Sequence, residues 1–290
     1  MQDKLNIYSN NITSQHGEDG ILNYIIGSLE EKIIHTCCEF GASDGVFASN
    51  CFDLWNTQEW SAVLIEGDKD KYKALLNNTK DFENVISHNC FVESRENNSL
   101  DDIFTKNNYP KDLGLLSIDI DSFDYHIWKN LNYVNPQIVV IEHNISIPGY
   151  IDYHDPEDES YLRCSAKSLE KLGKKKGYKL ICCTVSNCIF IKKDLFDKKK
   201  FPEYPVEYLF DYSAIQSQII KTGVNNNRFP IFTKKISNTR KFFYKFYYKT
   251  QSLYESKVNY IPPTKKMKKH LKRSGLDAFG RADLHVSDLL

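Results

Sequence analysis

Three short stretches of this chain carry residue types that can do chemistry. The first, Glu39-Phe40-Gly41-Ala42-Ser43-Asp44-Gly45, closes an apolar run with an acid and then sets two glycines four residues apart. Glycines at a strand-to-helix turn let the backbone approach a ligand and aim helix N–H groups at it. The second, Ile65-Glu66-Gly67-Asp68, ends the next apolar run. An acid about 20 residues beyond such a glycine turn can hold both hydroxyls of a ribose. Ser43 stands where the middle glycine of a full Gly-x-Gly-x-x-Gly would be, so a ligand with a ribose and no pyrophosphate suits the turn better. The third group is split between two further runs. Asp119, Asp121 and Asp124 close one, and Glu142, His143 and Asn144 close the other.

These residues need elements that bring them to one place. The apolar runs "IIHTCCEF", "SAVLIEG", "NVISHN", "GLLSIDI", "QIVVIEHN", "YKLICCT" and "NCIFIKKD" read as strands. Helix-compatible segments alternate with the first six: "ASNCFDLWNTQ", "DKYKALLNN", "SLDDIFTKN", "DYHIWKNL" and "SAKSLEKLGKKKG". Continuous apolar strands imply a sheet covered on both faces, hence parallel strands with crossover helices. The connection between the last two strands is so short that they must form an antiparallel hairpin. In an open parallel sheet the carboxyl ends of the strands form the ligand crevice, and every acid named above lies at such an end. A further helix, "SQHGEDGILNYIIGSLEE", precedes the first strand, with Ile21, Tyr24, Ile25 and Leu29 at helical spacing and Ser14 and Gly17 marking its start.

Composition narrows the class. The chain has 290 residues, 41% of them hydrophobic, and a formal net charge of zero. That is enough apolar content for a substantial core, and too little charge to draw the whole molecule to nucleic acid or an anionic membrane. No apolar run approaches the length of a membrane span, and the N-terminus lacks the apolar segment of a signal peptide, so the expected location is cytoplasmic. The eight cysteines include no Cys-x-x-Cys pair, which argues for reduced core thiols over a zinc site. Strand residues alternate in direction, so Cys37-Cys38 and Cys182-Cys183 should each place one thiol on either face of the sheet. After about residue 222 the pattern changes. In 233–273 Lys and Arg far outnumber the single acid Glu255 and are interleaved with aromatics. The expected division is a domain over 1–222 and a basic, aromatic extension over 223–290.

Taken together, these motifs resemble the class I S-adenosylmethionine (SAM)-dependent methyltransferases, in particular their FkbM-like branch. "EFGASDG" looks like the first cofactor motif and "LIEGD" like the acidic end of the second strand. "LLSIDIDSFDYHIWKNL" is similar to the branch's fourth-strand motif, with Ser122 in place of its glycine. "SQHGEDGIL" and "SLEKLGKKKGYKLICCT" also match related bacterial sequences, and the resemblance runs over roughly 14–196. It implies a Rossmann-like α/β fold, a seven-stranded, mostly parallel sheet with an antiparallel terminal hairpin and flanking helices. It also implies SAM as cofactor. Glu39, Gly41 and Gly45 would wrap the methionine end, with Gln15, Ser43, Asp44, Asn50 and Asp119 in the same set. Glu66 would take the ribose, Asp68 would support its turn, and Ser87, His88 and Asn89 would lie near the adenine.

Methyl transfer to a hydroxyl needs positioning and the removal of a proton. Asp119 or His143 could be the base, with Asp121 and Glu142 completing the catalytic edge. Alternatively Asp119, Glu142 and Asn144 could hold Mg²⁺, since "IEHN" looks like the acid-plus-amide pair of metal-dependent catechol-type methyltransferases. The same branch suggests a small-molecule or glycan acceptor, a sugar hydroxyl of capsule or lipopolysaccharide type. The polar stretch "SIPGYIDYHDPEDES" is a candidate acceptor loop in which Tyr150 and Tyr153 would stack on sugar faces and Asp152, His154 and Asp155 would bond hydroxyls. The extension suggests peripheral contact with a membrane surface or a partner. Two other readings stay open, an inactive scaffold and a nucleic-acid methyltransferase. The scaffold has no need of Glu66, Asp119 and Glu142. The nucleic-acid enzyme would be expected to carry an Asn/Asp-Pro-Pro-aromatic motif at the fourth strand, which is absent. No nucleic-acid partner is therefore expected, and oligomerisation stays open.

Overall fold

The computed structural model describes residues 3–158, 160, 162–211 and two short paired strands, Ile231–Phe232 and Leu276–Asp277. The boundary at 222 and almost all of the basic extension lie outside the described residues.

Seven strands form one sheet: β1 (Thr36–Phe40), β2 (Ser61–Glu66), β3 (Val85–Asn89), β4 (Asp112–Ile118), β5 (Asn135–Glu142), β6 (Tyr178–Cys183) and β7 (Asn187–Lys192). Their order is β3-β2-β1-β4-β5-β7-β6. The first five pair in parallel, while β7 runs antiparallel to both β5 and β6. This is the Rossmann-like arrangement with a terminal hairpin that the alternating runs imply. β1 lies between β2 and β4, so the ends carrying Glu39, Glu66 and Asp119 are adjacent. The crevice where the strand order reverses opens beside them.

Among the described residues seven α-helices connect and flank the strands: α1 (Glu18–Leu29), α2 (Phe52–Thr57), α3 (Lys69–Thr79), α4 (Leu100–Lys106), α5 (Asp124–Asn130), α6 (Ala166–Lys175) and α7 (Val206–Leu209). α1 begins where Gly17 turns left-handed, and it buries Ile21, Leu22, Ile25, Ile26 and Leu29 on one stripe. α3, α4 and α6 start on side-chain caps. Asp68 accepts from the amides of Asp70 and Lys71, Ser99 from Asp102 and Ser165 from Ser168, each worth about 1 kcal/mol.

The two faces of the sheet carry separate cores. Cys38, Phe40, Leu116, Val139, Cys183 and Phe190 point into one. Cys37, Leu64, Leu115, Val140, Cys182 and Ile189 point into the other. Each cysteine doublet is thus split between faces, and every cysteine is free, all but Cys90 buried. Full burial of a Leu, Ile or Phe side chain contributes roughly 1.5–3 kcal/mol, so these cores fix the strand ends that form the site. Val206, Leu209 and Phe210 also join the first core, so the chain packs against the sheet at least this far. No helix among the described residues is long and apolar enough to cross a membrane.

Candidate functional site

A cleft of about 860 Å³ opens at the carboxyl edge of the parallel strands. Glu39 lines it from the end of β1, Gly41, Ser43 and Asn50 from the β1–α2 loop, Glu66 from β2, and Asp119 and Asp121 from just beyond β4. Gln15 reaches it from the segment before α1.

The β1–α2 loop is folded by the carboxylates it displays. Glu39 is buried, and its oxygens accept from the Ser49 hydroxyl and, at 2.9 Å, from the Asn50 amide. Burial nonetheless raises its pKa, against the opposing hydrogen bonds from Ser49 and Asn50. Asn50 continues inward, its Nδ2 donating to Ser117 Oγ at 3.1 Å. Gly41 has φ +77°, and a Cβ there would lie 1.9 Å from the Asp119 carbonyl oxygen. Only glycine lets β1 leave the sheet so close to β4. Gly45 also has positive φ, but it faces Leu75, so its part is the turn and not the cleft wall. Asp44 accepts from the amides of Val46 and Phe47 at 3.0 and 2.7 Å and likewise shapes the loop from outside the cleft lining.

Glu66 is the acid at the end of β2. It is only 6% exposed, and both oxygens are anchored, Oε2 by the Ser43 amide and Oε1 by the Asp68 amide, each at 2.7 Å. The carboxylate is therefore held rigid, with its remaining lone pairs available to the cleft. Asp68 itself is the α3 cap and does not line the cleft. Nor do His88 and Asn89. The His88 ring contacts Tyr109 Oη at 3.2 Å, and Asn89 Nδ2 donates to the Glu66 carbonyl at 2.7 Å. Beyond β3 the cleft is lined instead by Cys90, Phe91 and Val92. Phe91 lies over Gly67, where any Cβ would meet its ring at 2.2 Å, and it is 68% exposed. An uncovered aromatic beside the rigid acid is a face on which a base could stack. Its signal in the sequence was its place just after the strand.

Asp119, Asp121 and Glu142 come together at the β4–β5 edge, their carboxylate oxygens all within 4.8 Å of one another. Crowding and desolvation by the surrounding protein move the titration of Asp119 and Glu142. Asp119 is pushed up to about 7, first by desolvation and then by the charges of Asp124 and Asp121. Desolvation and the Asp119 charge raise the Glu142 pKa, and the neighbouring Arg163 charge opposes them. Two such neighbours titrate as a pair, the proton on one holding the other ionised. Arg163, absent from the sequence expectations, inserts here. Its Nη1 lies 2.6 Å from Asp121 Oδ1 and also contacts Glu142 Oε2.

Asp124 folds the turn after β4 and does not enter the cleft. Its oxygens accept from the Ile120 and Ser122 amides at 2.8 and 3.1 Å. The left-handed residue of that turn is Asp121, at φ +59°. Asp tolerates this region, which is why serine can stand at 122 in place of glycine.

Two expected site residues are corrected. His143 points into the core, 1% exposed and packed on Phe210. Burial lowers its pKa to about 4, and neither ring nitrogen has a hydrogen-bond partner among the described residues, so it is no base for the cleft. Alternation at the end of β5 explains this, since Glu142 and His143 must face opposite ways. Asn144 is also committed elsewhere. Its Nδ2 donates to the Leu162 carbonyl at 3.0 Å and its Oδ1 accepts from Ser146 N at 2.8 Å.

The acceptor loop is likewise turned inward. Asp155 is 2% exposed and gathers Tyr153 Oη at 2.6 Å, Leu162 N at 2.8 Å and Arg163 N at 2.5 Å. Tyr153 is buried, Asp152 pairs with Lys171 at 2.6 Å, and His154 stacks on Tyr125. Tyr150 packs against the first core. The loop residue that does line the cleft is Glu157, which bonds Lys129 at 2.9 Å and pairs with Arg95 on the opposite rim.

No protein-family model matches the chain, and no curated protein matches it. Among solved structures it is similar to the methyltransferase domain of the citrinin polyketide synthase, at 9% identity over 55% of this chain and 46% of that one, with a TM-score of 0.37. It is also similar to a SAM-dependent methyltransferase from Aquifex aeolicus, at 11% identity over 60% and 88%, TM-score 0.36. A third is the CurJ carbon methyltransferase, at 7% identity over 65% of this chain and 57% of that one, TM-score 0.45. The chain thus spans about half the length of the first and third. Likeness at this level does not bear on activity, and the strand order identifies the fold without it.

Proposed function

We propose that this chain is a SAM-dependent O-methyltransferase acting on a sugar or glycan hydroxyl. One observation carries the reading: rigid Glu66 and pKa-raised Asp119, from strands on either side of β1, line a single cleft with the glycine turn between them. The residues fit the cofactor. Glu66 would present a fixed carboxylate to the ribose hydroxyls, exposed Phe91 would offer a face to the adenine, and the cleft residues Gln15, Gly41 and Asn50 would border the methionine end. When bound, SAM supplies an electrophilic methyl group. This chain's part is to hold the acceptor in line and to take its proton.

Asp119 suits that second task. It is solvent-accessible at the cleft, and a carboxyl shifted to about 7 is a stronger base than an ordinary carboxylate while still ionising near neutral pH. Around it the cleft offers Ser94, Arg95, Ser122 and Glu157 to hydroxyl groups and Phe123 to a ring face. That mixture of polar groups with an aromatic is what supports a saccharide as acceptor.

The test is calorimetry with S-adenosylhomocysteine. Wild type should bind, and Glu66→Ala should weaken binding by about 1–3 kcal/mol through lost charge-assisted bonds. A wild-type protein that binds none would end this reading.

A further inference from the structure

The acids at the β4–β5 edge resemble ligands for a divalent ion, yet the residues present do not fit one. Asn144, the amide such a site would use, has both ends of its side chain committed within its own loop. The space between the carboxylates is taken by the Arg163 guanidinium, in contact with both Asp121 and Glu142. A dication would have to expel that group, breaking an ion pair in which Glu142 is 13% and Arg163 23% exposed. Leaving one partner of such a shielded pair uncompensated is costly.

Arg163 is also built to stay. Its amide donates to Asp155 Oδ2 at 2.5 Å and its carbonyl accepts from the Asp155 amide at 2.8 Å. The neighbouring Cys164 carbonyl accepts from Asn144 N at 2.8 Å. The residue is left-handed at φ +63°, a conformation unusual for a long side chain and kept where surrounding contacts over-determine it. The buried Asp155 carboxylate thus sets the reach of the guanidinium.

We propose that Arg163 is the resident cation of this edge, standing where a divalent metal would sit, and that the site works without a metal. Arg163 is a positioning residue. It holds Glu142 and Asp121 in place and balances their charge, leaving Asp119 as the group that meets the acceptor. The proposal rests on the reading of this cleft as a methyltransferase site. Its central prediction, which cation the carboxylates hold, can be measured without acceptor or cofactor.

The experiment is titration with Mn²⁺, followed by loss of the free-ion electron paramagnetic resonance signal. Wild type and Arg163→Lys should take up no Mn²⁺ at this edge. Arg163→Met, with the charge gone, should gain one site at least 10-fold tighter than any on wild type, and Arg163→Met/Asp119→Asn should lose it again. Wild-type uptake of one Mn²⁺ that Asp119→Asn abolishes would overturn the proposal, and this arm needs no arginine variant to fold. A folded Arg163→Met that gains no site would overturn it as well. Affinity for S-adenosylhomocysteine, measured on the same samples, reports separately on the methyltransferase reading. Its absence from wild type would remove that reading and leave the Mn²⁺ result intact.

Discussion

The two sides of the cleft are built by the same device and differ in what it displays. On one side, buried Asp19 gathers the segment before α1. Its Oδ2 accepts from the amides of Ile12, Thr13 and Ser14 at 2.7–2.9 Å and from Ser14 Oγ at 2.7 Å. Thr13 then ties to the Ser49 carbonyl at 3.0 Å, and Gln15 is carried to the cleft wall. On the other side, buried Asp155 gathers Tyr153, Leu162 and Arg163. The first displays a neutral amide beside the anchored carboxylates Glu39 and Glu66. The second sets a cation, Arg163, behind the cleft residue Asp121 and beside Asp119, whose pKa is raised to about 7. Binding calls for the fixed side, and proton transfer calls for the labile one.

The largest effect expected from breaking this contrast is on turnover. Asp119→Asn keeps the size and removes the base. It should lower turnover by 10²-fold or more, the order expected for losing a general base, with affinity for S-adenosylhomocysteine nearly unchanged. An active Asp119→Asn enzyme would shift the search to other groups lining the acceptor side.

Next come the two organising carboxylates. Asp19→Ala and Asp155→Ala each strand several buried donors, and each should cost about 2–4 kcal/mol in denaturant unfolding, from a penalty of ~1–3 kcal/mol per unsatisfied group partly relieved by relaxation. Their functional signatures should separate. Asp19→Ala should weaken S-adenosylhomocysteine roughly 10-fold by releasing Gln15, as if one ordinary hydrogen bond were lost. Asp155→Ala should spare that affinity and lower turnover by freeing Arg163. Equal loss of cofactor affinity in both variants would erase the distinction between the sides.

This contrast also decides what could be read from sequence. The glycine turn, Glu66 and the alternation of strands and helices are local patterns, and the structure places them as such patterns require. Arg163 could not be found this way. It acts 42 residues from Asp121 and 21 from Glu142, and only the return of the loop after β5 brings them together. "Glu-His-Asn" was read as three site residues because adjacency in sequence hides the alternation of a strand end. One of the three faces the acidic cluster, one the core, and one is spent on loop geometry. The polar loop over 146–160 misled for a different reason. Its composition is equally that of a segment folding around its own buried carboxylate, and polar residues satisfying one another look in sequence like polar residues awaiting a ligand.

The smallest and sharpest prediction concerns pH. Because the folded-state pKa of Asp119 is raised, to about 7 from an ordinary 3.8, the folded protein binds this proton more tightly than the unfolded chain does. Its contribution to stability is therefore fully present below the unfolded value and is lost as pH rises through the folded one. Between about pH 4 and 7 the acceptor side should lose stability as Asp119 ionises, while turnover rises through pH 7 as it becomes a base. Asp119→Asn cannot ionise and escapes this loss, so it should melt at or above the wild-type temperature at pH 8 and draw level with it near pH 4. Solvent access to Asp119 keeps the difference to a few degrees. Glu66→Gln on the opposite side lacks this signature, since its carboxylate is anchored by two amides and replacing it removes stabilising bonds at neutral pH. If Asp119→Asn instead melted below wild type at pH 8, Asp119 would be stabilised as an ion, and the two sides would not differ in kind.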